Sequence, residues 1–347
     1  MSRIPLTFAC GDYDRTRGIA EGAVPVDGAD ITYLRLPVEE TFFRMLRHRE
    51  FDVAEMSLST YVATLDKAGS LAASPFVALP VYTSRFFRHG GIFINTEAGI
   101  IQPSDLRGKR IGMPEVQLTA VVWQRGILAD HYGVPLDSAR YFTGGEETPG
   151  RVEKGKVDVP FDVRPIPEDR TLSRMLADGE IDAILAPRIP STFDPKGGSV
   201  ARLFDDPKQA EQDYFRETGI FPIMHVVVVR RDVYERYPWV AQSLTKALTI
   251  AKKQASERIY DASAAADGAV AHGAPRAGPH PAGPGLLVIR CRPFRPQGAR
   301  DLPAVPPRAG PVAHAARAGG DLRARVAGVF RHLTLADAEG PGADPGF

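Results

Sequence analysis

After Ser263 the chain stops being composed like an ordinary globular protein. Residues 264–347 are 65% Ala, Gly, Pro and Arg, against 33% in residues 1–263. They contain no Lys, Tyr, Met or Ser, although the first part holds 9 Lys, 10 Tyr and 6 Met. Such a segment has little apolar surface to bury against the chain entropy that folding costs. Two readings stand: a native low-complexity extension, or GC-rich DNA translated out of frame, since Ala, Gly, Pro and Arg belong to GC-only codon families. The four missing residue types favour the second. On either reading residues 264–347 are expected to be disordered or out of frame and to carry no function. What folds must be read from residues 1–263, enough for two domains of modest size.

The whole chain carries a formal net charge of +1, and residues 1–263 carry −3. No basic surface therefore argues for nucleic acid. No run of 18 apolar residues occurs, which excludes a membrane-spanning helix, and no membrane partner is expected. Two cysteines, Cys10 and Cys291, are too few for a disulfide scaffold. The opening MSRIPLTFACGDYD has no apolar leader core and enters a strand pattern at once, so a cytoplasmic location is expected. The four histidines of residues 1–263 (His48, His89, His131 and His225) form no i, i+4 pair and join no cysteine cluster, so no metal is expected. Walker-A, dinucleotide and nucleophile-elbow motifs are lacking too, so no cofactor is expected.

Short apolar runs alternate with amphipathic segments, the pattern of βα units. Strands are expected at Ile4–Cys10, Ile31–Leu36, Phe51–Met56, Phe76–Val81, Gly91–Ile94, Arg110–Met113, Ile181–Ala186 and Met224–Val229. Helices are expected at Glu39–Arg49, Thr60–Lys67, Leu118–His131, Leu172–Asp178, Gln209–Glu217 and Asp232–Tyr260, the last with a break at Pro238. One plan occurs twice. HREFDVAEMSLST (48–60) and DGEIDAILAPRIPST (178–192) each read as a helix end, Glu-X-Asp, a short strand and a polar Ser/Thr loop. Two such units imply two similar α/β domains, each sending the loop after its strand into a shared crevice where ligands bind. The expected division is 1–95 plus about 223–263, and 96–222.

LRGKRIGMPE (106–115), after a strand and before a helix, resembles the second-domain entry of type II periplasmic-binding-protein folds. Six longer motifs in order carry a more specific resemblance: GDYDRTR (11–17), FDVAEMSLSTY (51–61), SRFFRHGGIFI (84–94), GMPEVQLTAVVWQRGIL (112–128), APRIPSTF (186–193) and TGIFPIMHVV (218–227). Together they resemble the 4,5-dihydroxyphthalate decarboxylase family over about residues 4–260. The resemblance implies an α/β protein with two similar domains and an interdomain cleft, acting without a cofactor on a small aromatic acid. It leaves room for a homo-oligomer. A solute-binding protein for an aromatic acid is the rival on the same fold, and a non-functional frameshifted product is a third reading.

Such a substrate needs cations for its two carboxylates, a group to deprotonate the phenol para to the departing carboxylate, and an acid to protonate the ring carbon. In GDYDRTR, Arg15 or Arg17 is expected to clamp a carboxylate, and Asp12 or Asp14 to accept a phenolic hydrogen bond. The alternative is Asp–Arg pairs that cap the following helix. SRFFRHG gathers Arg85, Arg88 and His89, with His89 the favoured proton donor because the two guanidiniums would hold the acid beside it. The alternative is a solvated basic turn. Ser57 and Ser59 follow one buried strand, and Arg188, Ser191 and Thr192 follow its counterpart, where they could take carboxylate oxygens or cap helices. Glu115, Gln117 and Thr119 stand before a helix whose free N–H groups favour an anion, with Glu115 either a cap or the base. His225 lies in the most apolar stretch of the chain, as a catalytic group under the cleft or a satisfied core residue.

Overall fold

The computed structural model describes residues 3–151 and 159–260. The expectation for residues 264–347 lies outside them. The first lobe is built from β1 (Ile4–Cys10), α1 (Asp14–Ala20), β2 (Ala29–Arg35), α2 (Val38–His48), β3 (Val53–Ser57), α3 (Leu58–Ala68), β4 (Phe76–Ala78) and β5 (Ser84–Arg85). The second holds β6 (Ile92–Asn95), β7 (Arg110–Met113), α4 (Thr119–His131), β8 (Arg140–Thr143), β9 (Val163–Pro165), α5 (Leu172–Ala177), β10 (Ala183–Leu185), β11 (Val200–Arg202) and α6 (Pro207–Thr218). The chain then returns to the first lobe through β12 (Ile223–Arg230), α7 (Arg231–Arg236) and α8 (Trp239–Tyr260). Pro238 does separate α7 from α8, because its ring cannot continue a helix interior.

The first sheet runs β2-β1-β3-β12-β4, with β5 also on β12. β1 is parallel to β2 and β3, and β12 enters antiparallel between β3 and β4. Alternate residues Leu6, Phe8 and Cys10 of β1 pack with Val53, Val227 and Val229 beneath Val240, Leu244, Ala247, Leu248 and Ala251 of α8. The strand period of two and the helical spacing of three and four thus meet on one face. The second sheet runs β11-β6-β10-β7-β8-β9. Ile92 and Ile94 of β6 face one core with Val121 and Leu128 of α4, and Phe93 faces the other with Leu172, Met175 and Leu176 of α5.

The two copies of the Glu-X-Asp plan occupy matching places. Asp52 Oδ2 accepts from the Thr7 backbone N–H at 2.9 Å, and Asp182 Oδ2 from the Arg110 N–H at 2.7 Å. Each aspartate therefore ties its strand to its parallel neighbour, β1 or β7. The boundary expected at residue 95 falls one strand late. β6 is antiparallel to β10 and β11 of the second sheet, so the first crossover ends before Ile92. The two crossovers are bound together: Phe86 N–H donates to Pro222 O at 3.0 Å, Phe87 stacks on Phe221 at 4.7 Å, and Trp123 Nε1 donates to Ile223 O at 2.9 Å. Strands β5, β8, β9 and β11 are not expected from the sequence: each has at most four residues and carries polar or charged positions or proline, so none forms an apolar run like those of β6 and β10.

Candidate active site between the lobes

The centre of the first lobe's rim is a buried carboxylate that the sequence reading passed over. Glu55 lies mid-β3, wholly inaccessible. A charge there must be paired and hydrogen-bonded to persist. Its Oε1 accepts from Tyr13 Oη at 2.9 Å, Thr83 Oγ1 at 2.7 Å and His225 Nδ1 at 2.7 Å. Its Oε2 accepts from the Gly11 N–H at 3.1 Å and the Cys10 thiol at 3.4 Å. Burial pushes this carboxyl up, but the donors His225, Thr83 and Gly11, with the His225 charge, outweigh it and hold the pKa below the ordinary value. An ionised carboxylate only accepts. His225 Nδ1 must therefore carry its proton toward Glu55, which leaves Nε2 as the acid–base nitrogen.

His225 sits opposite Ser57 in the β12–β3 register, and its ring meets the Phe42 ring edge-on at 4.9 Å. Its side chain keeps 18% of its surface exposed, so solute can reach it. Next to it the lobes touch through hydroxyls. Ser57 Oγ and Thr119 Oγ1 share a hydrogen bond of 2.7 Å, Ser59 Oγ and Thr119 Oγ1 one of 2.9 Å, and Ser59 Oγ donates to the Gln117 carbonyl. Thr119 opens α4, so these hydroxyls stand at the positive end of a helix of 13 residues. Ser57, Ser59, Gln117 and Thr119 are thus brought together with His225.

Arg85, on β5, joins them through its neighbour Ser84, which pairs with His225. Its guanidinium lies over Tyr82 at 4.9 Å, and Nη1 is buried without a hydrogen-bond partner among the described residues. Burial lowers its pKa, opposed by the neighbouring Tyr82. Arg15 covers the Tyr13 ring at 4.0 Å and donates to the Thr83 carbonyl. Lys252 of α8 completes a cationic corner. Its ammonium is pushed down first by partial burial and then by Arg85 and Arg15.

Other expected residues lie elsewhere. Asp12 pairs with Arg35 at 3.4 Å on the surface, Arg17 reaches Glu21 at 4.0 Å along α1, and Asp14 accepts from the Arg15 N–H at 2.7 Å in the first turn. None of the three joins the site, and the capping alternative fails as well: α1 has no side-chain cap, only Asp14 stands in its first turn, and Asp12 pairs with β2. Glu115 is buried under the Arg151 guanidinium, 2.5 Å from Nη2, which leaves it a structural counterion instead of a free base. Arg88 braces the crossovers, with Nε 3.1 Å from Met224 Sδ and Nη1 donating to Pro187 O at 3.2 Å. Arg188 reaches across to Glu39 of α2 at 3.2 Å. Ser191 donates to Glu147 and Thr192 to the Ser173 carbonyl.

His89, the favoured donor, is the clearest correction. It is wholly buried inside the second lobe among the rings of Tyr132, Phe204 and Tyr214. Neither ring nitrogen has a hydrogen-bond partner among the described residues. Arg85 and Arg88, its neighbours in sequence, turn away because the chain crosses lobes at this point. Burial, helped by His131, lowers its pKa to about 4. The folded chain prefers the neutral ring, so stability is full above the unfolded value of about 6.5 and is lost as the pH falls toward 4. A His89→Phe variant is expected to resist acid unfolding over that window better than wild type, read by urea denaturation at stepped pH. Equal losses in both proteins would show that His89 is not the group that titrates.

Among the described residues, no group of three or more His, Cys, Asp or Glu could hold a metal ion, and no helix is long and apolar enough to cross a membrane. No family model matches the chain. It is 42% identical over 266 residues to a 4,5-dihydroxyphthalate decarboxylase of Comamonas testosteroni, spanning 76% of this chain and 79% of that protein. It is 43% identical over 218 residues to a 4,5-dihydroxyphthalate decarboxylase of Pseudomonas putida, spanning 62% and 83%. Among solved structures, the periplasmic aliphatic sulphonate binding protein SsuA from Escherichia coli aligns with a TM-score of 0.44 at 12% identity, over 74% of this chain and 76% of that one. Protein AF1704 from Archaeoglobus fulgidus aligns with a TM-score of 0.44 at 18% identity, over 74% and 78%.

Proposed function

The chain belongs to the 4,5-dihydroxyphthalate decarboxylase family, and from that premise we propose that it converts 4,5-dihydroxyphthalate to 3,4-dihydroxybenzoate and carbon dioxide. The observation that carries the reading to residues is the Glu55–His225 pair, set at the lobe junction near Arg85, whose Nη1 has no hydrogen-bond partner among the described residues. Ionised Glu55 orients the imidazole, so His225 Nε2 takes the proton of the phenol para to the departing carboxylate. Electron density then reaches the ring carbon that must be protonated. The Arg85, Arg15 and Lys252 corner supplies positive charge for the retained carboxylate, and the Ser57, Ser59 and Thr119 hydroxyls supply donors at the start of α4.

The test is turnover of 4,5-dihydroxyphthalate in D2O. Carbon dioxide is expected in equal amount with 3,4-dihydroxybenzoate carrying one deuterium at the vacated carbon. Saturable binding with no carbon dioxide released would make the protein a binder of aromatic acids and sink the decarboxylase reading.

A further inference from the structure

A half-buried carboxyl at the lobe junction has no part in that scheme. Glu146 follows Thr143-Gly144-Gly145 in the loop after β8. The loop is held rigidly: Leu172 N–H donates to Gly145 O at 2.8 Å and Ser173 N–H to Glu146 O at 3.1 Å. A side chain at Gly145 would run into the Thr148 carbonyl, so the backbone path admits only glycine there. The adjacent Glu147 is fully engaged, accepting from Ser173 Oγ at 2.9 Å, Ser191 Oγ at 2.6 Å and Ser191 N at 2.8 Å. Glu146 Oε1, by contrast, is buried with no hydrogen-bond partner among the described residues.

The charged groups facing Glu146 come from four segments: Glu147 of its own loop, Arg188 after β10, Arg151, and Glu39 of α2 in the other lobe. Glu39 is the residue that Arg188 reaches across the lobe boundary. Phe42, which covers His225, is three positions further along α2. Residues three apart on a helix share a face and are separated by about 4.5 Å along the axis. One short stretch of α2 thus carries both a charge that acts on Glu146 of the second lobe and the ring that packs on His225 of the first. Burial, together with Glu147, raises the Glu146 pKa to about 7, against the opposing pull of Arg188 and Arg151.

We propose that Glu146 is the acid that protonates the ring carbon bearing the departing carboxylate, opposite His225. This rests on the decarboxylase reading. His225 Nε2 takes the phenolic proton while the Glu146 O–H delivers its proton to the ring carbon, forming the C–H bond and a dienone. The bond from that carbon to the carboxylate then breaks. Its electron pair restores the ring and the phenolate, and His225 returns its proton to the phenolate oxygen. Glu146 is reprotonated from water, so each turnover consumes one proton and releases one carbon dioxide.

Glu146→Gln in the full-length protein tests this, with Glu147→Gln as the control. Wild-type kcat is expected to fall on the alkaline side as Glu146 ionises near pH 7. E146Q is expected to lose roughly 10²- to 10⁴-fold in kcat with little change in KM, and its residual rate to lack that alkaline limb. E147Q is expected to keep the limb. A second readout needs no turnover. A carboxyl whose folded pKa exceeds its unfolded value of about 4.3 costs stability as the pH rises from there through 7. E146Q should escape that loss in urea titrations. An E146Q enzyme with wild-type kcat and an intact alkaline limb overturns the assignment alone. No turnover by the wild type overturns the decarboxylase reading and the assignment with it.

Discussion

His225→Asn is expected to lower kcat by roughly 10²- to 10⁴-fold while leaving KM nearly unchanged, because it removes the proton acceptor and keeps an N–H that can donate to Glu55. Glu55→Gln is expected to do nearly as much without touching substrate. A neutral amide no longer requires Nδ1 to carry the proton, so the tautomer that leaves Nε2 free loses its preference. The double variant should be far less than additive, since each change disables the same unit. E55Q carries a structural penalty as well. The five donors that converge on Glu55 include the Tyr13 and Thr83 hydroxyls and the Gly11 N–H. An amide N–H turned toward any of them strands a buried donor, at about 1–3 kcal/mol. The Glu55 carboxyl titrates in the folded chain below its unfolded value. Its stabilisation is therefore present above pH ~4.3 and is lost as the pH falls through the folded value. Steady-state kinetics and acid unfolding of H225N and E55Q check both statements. Near-wild-type kcat in H225N would remove the dyad from the mechanism.

Arg85→Ala is expected to weaken binding of a dicarboxylate such as phthalate by ~10- to 100-fold and that of benzoate much less. A charge-assisted carboxylate pair contributes about 1.5–3 kcal/mol. Arg85 is the cation best placed to supply it, because its Nη1 lies buried and unpartnered among the described residues beside the strand that carries His225. Arg17→Ala serves as the contrast, since that guanidinium is half exposed and already reaches Glu21. Calorimetric titration of the two ligands into both variants separates the roles. Equal losses for phthalate and benzoate in R85A would show that Arg85 does not read the second carboxylate.

Features that depend on local period and on short motifs are legible in the residues alone. The alternation in Ile4–Cys10, the 3.6-residue pattern of α2 and the twice-used Glu-X-Asp plan follow from side-chain direction within one element. They were enough for two α/β domains, and the ordered motifs were enough for the family. His225 and the Ser57, Ser59, Thr119 set were also legible, as polar groups stationed at the ends of buried strands and a helix.

Which polar groups face one another depends on how distant segments pack. SRFFRHG reads as one basic cluster. The crossover splits it, sending His89 into an aromatic core, Arg88 to the brace and Arg85 to the rim. Glu55 carried a signal that could have been used: a lone charge among Val53, Ala54 and Met56 must find partners or be neutral. Its partners come from three segments, at residues 10–13, 83 and 225, far apart in the chain. Glu146 carried no such signal, because its isolation arises from Glu147 being satisfied by serines on two other segments. Strand and helix periods are set by bonds a few residues apart, whereas the protonation state of a carboxylate is set by whatever the fold brings within a few ångströms of it.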